Sequence, residues 1–224
     1  MSVWPYPIKA AIFDCDGTIL DTTKIYFNAN KIVAGENIPP DLKKRCNGRG
    51  ENEVSKLIVD YFKLPMTPKE FLKKRNVILD KTLPDCKVIP HVDEIINKLK
   101  NMGLKLAVAT SASRHFHDLK TMNHEKLFSL FDYDVCGNEV NEAKPNPEVF
   151  QVAAEKLGEF NPENVLVFED AIAGIKAAND AKMPVVVYHE NDTGFIESLK
   201  EIGAKPTIVI DNYDNFDYSL FKWE

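Results

Sequence analysis

The chain has 224 residues, 34 of them acidic and 28 basic, for a formal net charge of −6. That length fits one large domain or a main domain with a smaller companion, and 44% apolar with 28% charged residues is the balance of a soluble globular protein. The acidic excess disfavours a non-specific nucleic-acid binder, which needs a basic face, and no segment approaches the ~20 apolar residues that span a bilayer.

The opening residues, Met1 to Phe13, have neither a basic start nor a long apolar stretch, so no secretory signal is expected and the cytoplasm is the expected location. The run from Ile8 to Phe13 predicts a strand, and Asp14 and Asp16 stand at its exit, with Gly17 free to turn the backbone sharply behind them. From about Thr22 to Asp85 the pattern is helical: Ile25 to Val33, Glu51 to Phe62 and Pro68 to Thr82. The last of these opens on a capping box, Thr67 with Glu70, and has proline at its first position. Val92, Ile95, Ile96 and Leu99 then follow helical spacing up to a stop at Gly103. Leu104 to Ala109 and Tyr133 to Cys136 read as strands. A helix is expected from Asn146-Pro147 to Gly158, a strand over Val165 to Phe168 and an alanine-rich helix over Ala171 to Ala181. Strands at Val185 to Tyr188 and Thr207 to Ile210 complete the series. Most of these strands are continuously apolar, as in a parallel sheet covered on both faces. Phe216, Leu220 and Phe221 are expected to tuck down an otherwise surface-lying acidic tail. The prediction is an α/β fold with a doubly wound, Rossmann-like parallel sheet formed by residues 1–21 and 86–224, carrying an inserted helical cap domain, residues 22–85.

Four features lie at strand ends, where an open α/β sheet gathers its ligands. Asp14 and Asp16 offer a carboxylate nucleophile and a general acid/base. Taken alone, the pair reads first as a helix cap or a solvated turn; with Gly17 and Thr18 following, the functional reading is favoured. Thr110 and Ser111 offer hydroxyls and N–H groups to phosphate oxygens, although such residues are also common caps. Lys144, held before Pro145, can neutralise a nucleophile and a transferring phosphoryl group. Glu169 and Asp170 suit a hard divalent cation, Mg²⁺, with Asp170 the more direct ligand and Glu169 acting through water. With Asp14 and Asp16 they make the expected metal set.

Cys15, Cys46, Cys86 and Cys136 have no zinc-site spacing, and four free thiols in a reducing compartment are expected. Cys15, between the two acids, is expected to point into the core as a small hydrophobe. His115, His117 and His124 invite a zinc reading, but with no carboxylate partner evident an exposed or substrate-adjacent role is favoured.

Order and spacing of these motifs resemble the haloacid dehalogenase superfamily over nearly the whole chain. The resemblance implies that Asp14 is phosphorylated, Asp16 is acid/base, the hydroxyl turn and Lys144 hold phosphate, and the acidic pair completes a Mg²⁺ site. The segments around Leu64 to Phe71, Val108 to Thr121, His124 to Asp132 and Val165 to Ala178 are similar to the branch of pseudouridine-5′-phosphatases and phosphoglucomutases. That implies a small phosphomonoester, a sugar phosphate or nucleotide-like molecule, as partner. A monomer is expected, with no nucleic acid and no membrane among its partners. Within the expected cap, Gly48-Arg49-Gly50 is a substrate-gripping loop or else a plain surface turn. Tyr26 stands where phosphoglucomutases of the branch carry histidine, which favours a hydrolase over a phosphosugar mutase. A non-catalytic metabolite sensor is the remaining rival.

Overall fold

The apolar runs become one sheet in a computed structural model of the protein, which describes residues 3–46, 50–189 and 193–224. In chain order, β1 (Pro7–Ile8) and β2 (Ala10–Phe13) are followed by β3 (Leu20–Asp21). Four helices come next: α1 (Thr23–Ala34), α2 (Pro40–Cys46), α3 (Glu51–Phe62) and α4 (Pro68–Thr82). The chain returns through β4 (Lys87–Val88), α5 (Val92–Asn101), β5 (Lys105–Ala109), α6 (Arg114–Thr121), α7 (Glu125–Phe128) and β6 (Tyr133–Val135). It ends with α8 (Glu148–Leu157), β7 (Val165–Glu169), α9 (Ile172–Asp180), β8 (Val185–Tyr188), α10 (Thr193–Ile202), β9 (Ile208–Ile210) and β10 (Lys222–Trp223).

Six strands make the central sheet in the order β6-β5-β2-β7-β8-β9, every neighbouring pair parallel. The chain begins this sheet at β2, builds outward through β5 and β6, then crosses to β7 on the other side. That reversal opens a crevice at the carboxyl ends of β2, β5 and β7. Alternate residues divide the core. Ala11, Phe13, Leu106, Val108, Leu166 and Phe168 face one apolar layer, shared with α5 and the C-terminal segment. Ala10, Ile12, Ala107, Ala109, Val165 and Val167 face the other, shared with α8, α9 and α10. Phe13 and Phe168, neighbours in the sheet, stack with ring centroids 4.2 Å apart. Each such fully buried side chain contributes roughly 1.5–3 kcal/mol.

The helices α1 to α4 leave the sheet after β3 and return at β4, two short strands that pair antiparallel. They enclose an apolar cluster of their own, with Leu42, Ile58 and Phe71 wholly buried. A second cluster, Ala29, Leu79, Leu83 and Phe116, ties α1 and α4 to α6. The Thr67 hydroxyl accepts the Glu70 N–H at 3.2 Å and Glu70 accepts the Thr67 N–H at 2.8 Å, the reciprocal box expected from sequence. Pro147 sits at the N-cap of α8 rather than inside its first turn. The helices α2, α6, α7 and α10 and the pairing of β1 with β10 lie beyond what the periodicity predicts. Among the described residues no helix is long and apolar enough to cross a membrane.

Candidate active site

The strand parity that splits the core also sets the site. Cys15 continues the Phe13 side and is wholly buried in that apolar layer, as its position predicts. Asp14 and Asp16 share the opposite parity. Asp14 is pinned by its N–H, which donates to the Phe168 carbonyl at 2.9 Å. Glu169, last residue of β7, has the parity of Val167, and Lys144 precedes α8 on that same side. The Lys144 ammonium therefore reaches Asp14 Oδ1 at 2.6 Å, Glu169 Oε1 at 2.8 Å and the Ala109 carbonyl at 3.1 Å. Ends of three adjacent strands meet on one lysine.

Asp14, Glu169 and Asp170 each place an oxygen within 4.8 Å of the others. Three carboxylates there face one ammonium, an excess of two negative charges when all are ionised. Burial, offset only in part by Lys144 and reinforced by Glu169 and Asp16, pushes Asp14 up to about 7. Burial and then repulsion from Glu169 and Asp14 hold Asp170 well above the usual carboxylate range. Burial opposes the charge on Lys144, yet Asp14 and Glu169 keep it above an ordinary lysine. Such all-oxygen, charge-unbalanced donor sets fit a hard divalent cation. The second Glu169 oxygen accepts the N–H groups of Asp170 at 2.7 Å and Ala171 at 2.6 Å, so this side chain is already engaged. Asp170 takes only a long contact from the Thr18 hydroxyl, 3.4 Å, among the described residues, and its oxygens remain open to an ion. Glycine is required at Gly17, where φ is +85° and a Cβ would lie 2.1 Å from Asp170 Oδ2. In α9, a Cβ on Gly174 would lie 1.7 Å from Glu169 Oε1, so that glycine makes room for the carboxylate.

Asp16 differs from the expected metal set. Its carboxylate lies outside the three-residue cluster and is held by other donors. The Thr22 hydroxyl donates to Oδ1 at 2.7 Å, the Thr110 hydroxyl to Oδ2 at 3.3 Å, and the Lys120 ammonium also to Oδ2. Burial raises its pKa, but Lys120 and these hydrogen bonds hold it below the usual value. The hydroxyl pair divides as well. Ser111 lines the cavity, whereas Thr110 is wholly buried, donating to Asp16 and accepting the Ala112 N–H at 3.1 Å.

The cavity is about 470 Å³ and lies between the strand ends and the helices α1, α3 and α4. On the strand side it shows Asp14, Asp16, Lys144 and Asp170; on the helical side Tyr26, Asn30, Glu51 and Arg75. The Arg75 side chain is 3% exposed and donates to Glu51 at 2.6 Å. Arg49, the loop residue singled out by sequence, lies outside the described residues.

The three histidines do not form a group. His115 meets Asp80 at 2.8 Å, His117 meets Asp134 at 3.1 Å and His124 meets the Cys86 carbonyl at 2.9 Å. Two have carboxylate partners that their spacing does not reveal, because those carboxylates come from α4 and β6. His117 is buried rather than exposed. None of the four cysteines is in a disulfide, and all are buried. Lys120, Thr22 and the Arg75–Glu51 pair are the site residues that sequence reasoning misses. A signal for Lys120 exists, since Phe116, His117 and Lys120 share the buried face of α6, an unusual place for a lysine.

The pattern of the haloacid dehalogenase-like hydrolase family matches residues 11–188, spanning every strand-end group just described. The chain belongs to that family. It is 32% identical over 187 residues to a Drosophila melanogaster protein named probable pseudouridine-5′-phosphatase, covering 80% of this chain and 81% of that one. It is 33% identical over 189 residues to (DL)-glycerol-3-phosphatase 2 of Arabidopsis thaliana, covering 80% and 79%. Its fold matches the crystal structure of a haloacid dehalogenase hydrolase from Entamoeba histolytica with a TM-score of 0.79 at 21% identity, over 95% of this chain and 97% of that one. This haloacid dehalogenase-like hydrolase is thus an enzyme of the phosphatase branch.

Proposed function

We propose that the protein is a Mg²⁺-dependent phosphatase that hydrolyses a small phosphomonoester, a sugar phosphate or nucleotide-like molecule, through an aspartyl-phosphate. The observation that carries this reading is the placement of Asp14 at a strand end, bonded by Lys144 at 2.6 Å, beside the open carboxylate of Asp170 and at the floor of the cavity. In the first step an Asp14 oxygen attacks phosphorus and the bond from phosphorus to the ester oxygen breaks. Asp16, which must first take up a proton from solvent against the Lys120 contact that holds its pKa low, gives that proton to the leaving alkoxide. In the second, Asp16 takes a proton from water, the water oxygen attacks phosphorus, and the bond to Asp14 breaks to release phosphate. Lys144 and the N–H groups of the Ser111 turn neutralise charge on the phosphoryl oxygens. A bound Mg²⁺, held by Asp14 and Asp170 with Glu169 behind them, supplies further charge neutralisation. Residues 22–85 act in this reading as a cap domain on the core of 1–21 and 86–224, closing over the substrate and excluding bulk water. Four buried cysteines outside any disulfide fit a reducing compartment, which favours the cytoplasm.

The test is phosphate release with Mg²⁺ across a panel of pseudouridine 5′-phosphate, uridine 5′-phosphate, deoxysugar phosphates and glycerol phosphate, alongside Asp14→Asn. The variant is expected to lose at least about 10³-fold in kcat. Normal turnover by Asp14→Asn would remove the nucleophile assignment, and an isomeric sugar phosphate as product would replace the hydrolase with a mutase.

A further inference from the structure

Lys120 is the most deeply buried charged side chain of the site, with no exposed surface at all. It reaches Asp16 from α6, 104 residues along the chain. A lone buried ammonium is costly, by several kcal/mol even after relaxation, so it persists only where a partner offsets it. Here that partner is a cavity-lining carboxylate rather than a structural one. Burial opposes its charge, but Asp16 holds its pKa well above that of an ordinary lysine. The main chain is also tied down at this point, since the Cys86 thiol donates to the Lys120 carbonyl at 3.4 Å.

The geometry around Asp16 gives the lysine a purpose. A carboxylate offers about four acceptor positions. Thr22 occupies one on Oδ1, and Thr110 and Lys120 occupy two on Oδ2. Among the described residues' contacts one remains unfilled, and Asp16 lines the cavity. Three donors from three separate segments fix both the rotamer and the twist of this side chain. Of the three, only Lys120 carries charge.

We propose that Lys120 is a positioning residue for proton transfer: it clamps the Asp16 carboxyl group so that its one open lone-pair position carries a proton to the leaving oxygen and then takes one from the attacking water. The inference rests on the reading of Asp16 as acid/base. It assigns Lys120 no contact with substrate, and it sets this lysine apart from Lys144, which lies on the nucleophile.

The test uses the leaving group. An alkyl phosphate needs a proton on its departing oxygen, whereas nitrophenolate departs without one. Lys120→Met, of similar length and without charge, should lower kcat/KM for the best alkyl phosphate about 100-fold, with KM changed less than about threefold. The first-turnover release of nitrophenol from p-nitrophenyl phosphate should fall about tenfold less than that. The double variant, Lys120→Met with Asp16→Asn, should be no slower than Asp16→Asn alone, because a clamp has nothing to add once its target is gone. It also removes the unpaired ammonium that Asp16→Asn would strand, so it keeps the comparison available if either single variant unfolds. Rates are referred to the folded fraction measured by circular dichroism. Equal loss on both substrates, or losses that multiply in the double variant, would make Lys120 a merely structural residue and overturn the proposal. Asp16→Asn inactive on alkyl phosphate beside a fully active Lys120→Met would overturn it alone. An active Asp16→Asn would instead remove the acid/base reading beneath it.

Discussion

The two walls of the cavity are built differently. The strand-end wall draws its groups from distant segments: Lys144 lies 130 residues from Asp14, and Lys120 lies 104 from Asp16. Lys120 sits on the helix that follows β5 and Lys144 in the turn before α8, and the Asp16 and Glu169 carboxylates each have donors from more than one element. The helical wall is local. Arg75 and Glu51 are 24 residues apart, and their bond joins α4 to α3 within one excursion of chain. A sheet of six parallel strands holds reacting groups to tight tolerances, because no one of them can move without its neighbours. A helical layer joined to that sheet through the short β3–β4 ribbon and one side cluster has fewer such constraints. Chemistry should therefore reside on the first wall and selection among substrates on the second.

After the loss expected of Asp14→Asn, the largest expected effect breaks the strand-end wall electrostatically. Removal of divalent cations with a chelator should abolish turnover, by about 100-fold or more, with Mg²⁺ restoring it. The same treatment should leave the helical wall untouched, so far-ultraviolet circular dichroism should not change. Full activity in excess chelator would mean that Lys144 alone balances the three carboxylates.

How much of this was legible differs between the walls for the same physical reason. Strands buried on both faces must be apolar throughout, so Val185–Tyr188 and its companions stand out, and acids directly after such runs stand out with them. Asp14, Asp16, Lys144, Glu169 and Asp170 all meet at the cavity, as their places at strand ends imply. Partnerships are less visible. Nothing in the spacing of Lys120 says that its ammonium ends on Asp16, because the pairing depends on how α6 crosses the sheet. On the helical wall, α3 and α4 read correctly as helices from their periodicity and capping box. Arg75 nevertheless looks like any surface arginine, since its burial follows from the packing of α4 on α3.

A smaller effect tests the helical wall. Arg75→Met removes a side chain that is 3% exposed and frees Glu51, which is 51% exposed and can rehydrate. The stability cost should fall below the ~3–5 kcal/mol of breaking a fully buried pair. Discrimination should change more than chemistry: kcat/KM should shift about tenfold between large and small phosphomonoesters, while first-turnover nitrophenol release stays near the original. An equal fall on all substrates in folded protein would contradict the division of labour between the walls.

The smallest effect concerns the sheet as a support, away from the cavity. Asp132, just before β6, accepts Lys100 from α5 at 2.9 and 2.8 Å and the Leu106 N–H of β5 at 2.8 Å. Burial pushes its pKa up, but the Lys100 and Leu106 donors outweigh it and leave the carboxyl below its usual value. A depressed folded-state pKa means stability that is fully present above the unfolded value of ~3.9 and fades as pH falls through the lower folded one. Asp132→Asn should therefore lower the thermal midpoint by about 2 °C at neutral pH, and the gap to the unmodified protein should close in strong acid. Turnover at 25 °C should stay unchanged, because the six strands still align Asp14 with Glu169. A gap that persists undiminished in acid would assign the loss to packing rather than to charge, and a drop in turnover would show that the strand-end wall depends on this outer strand as well.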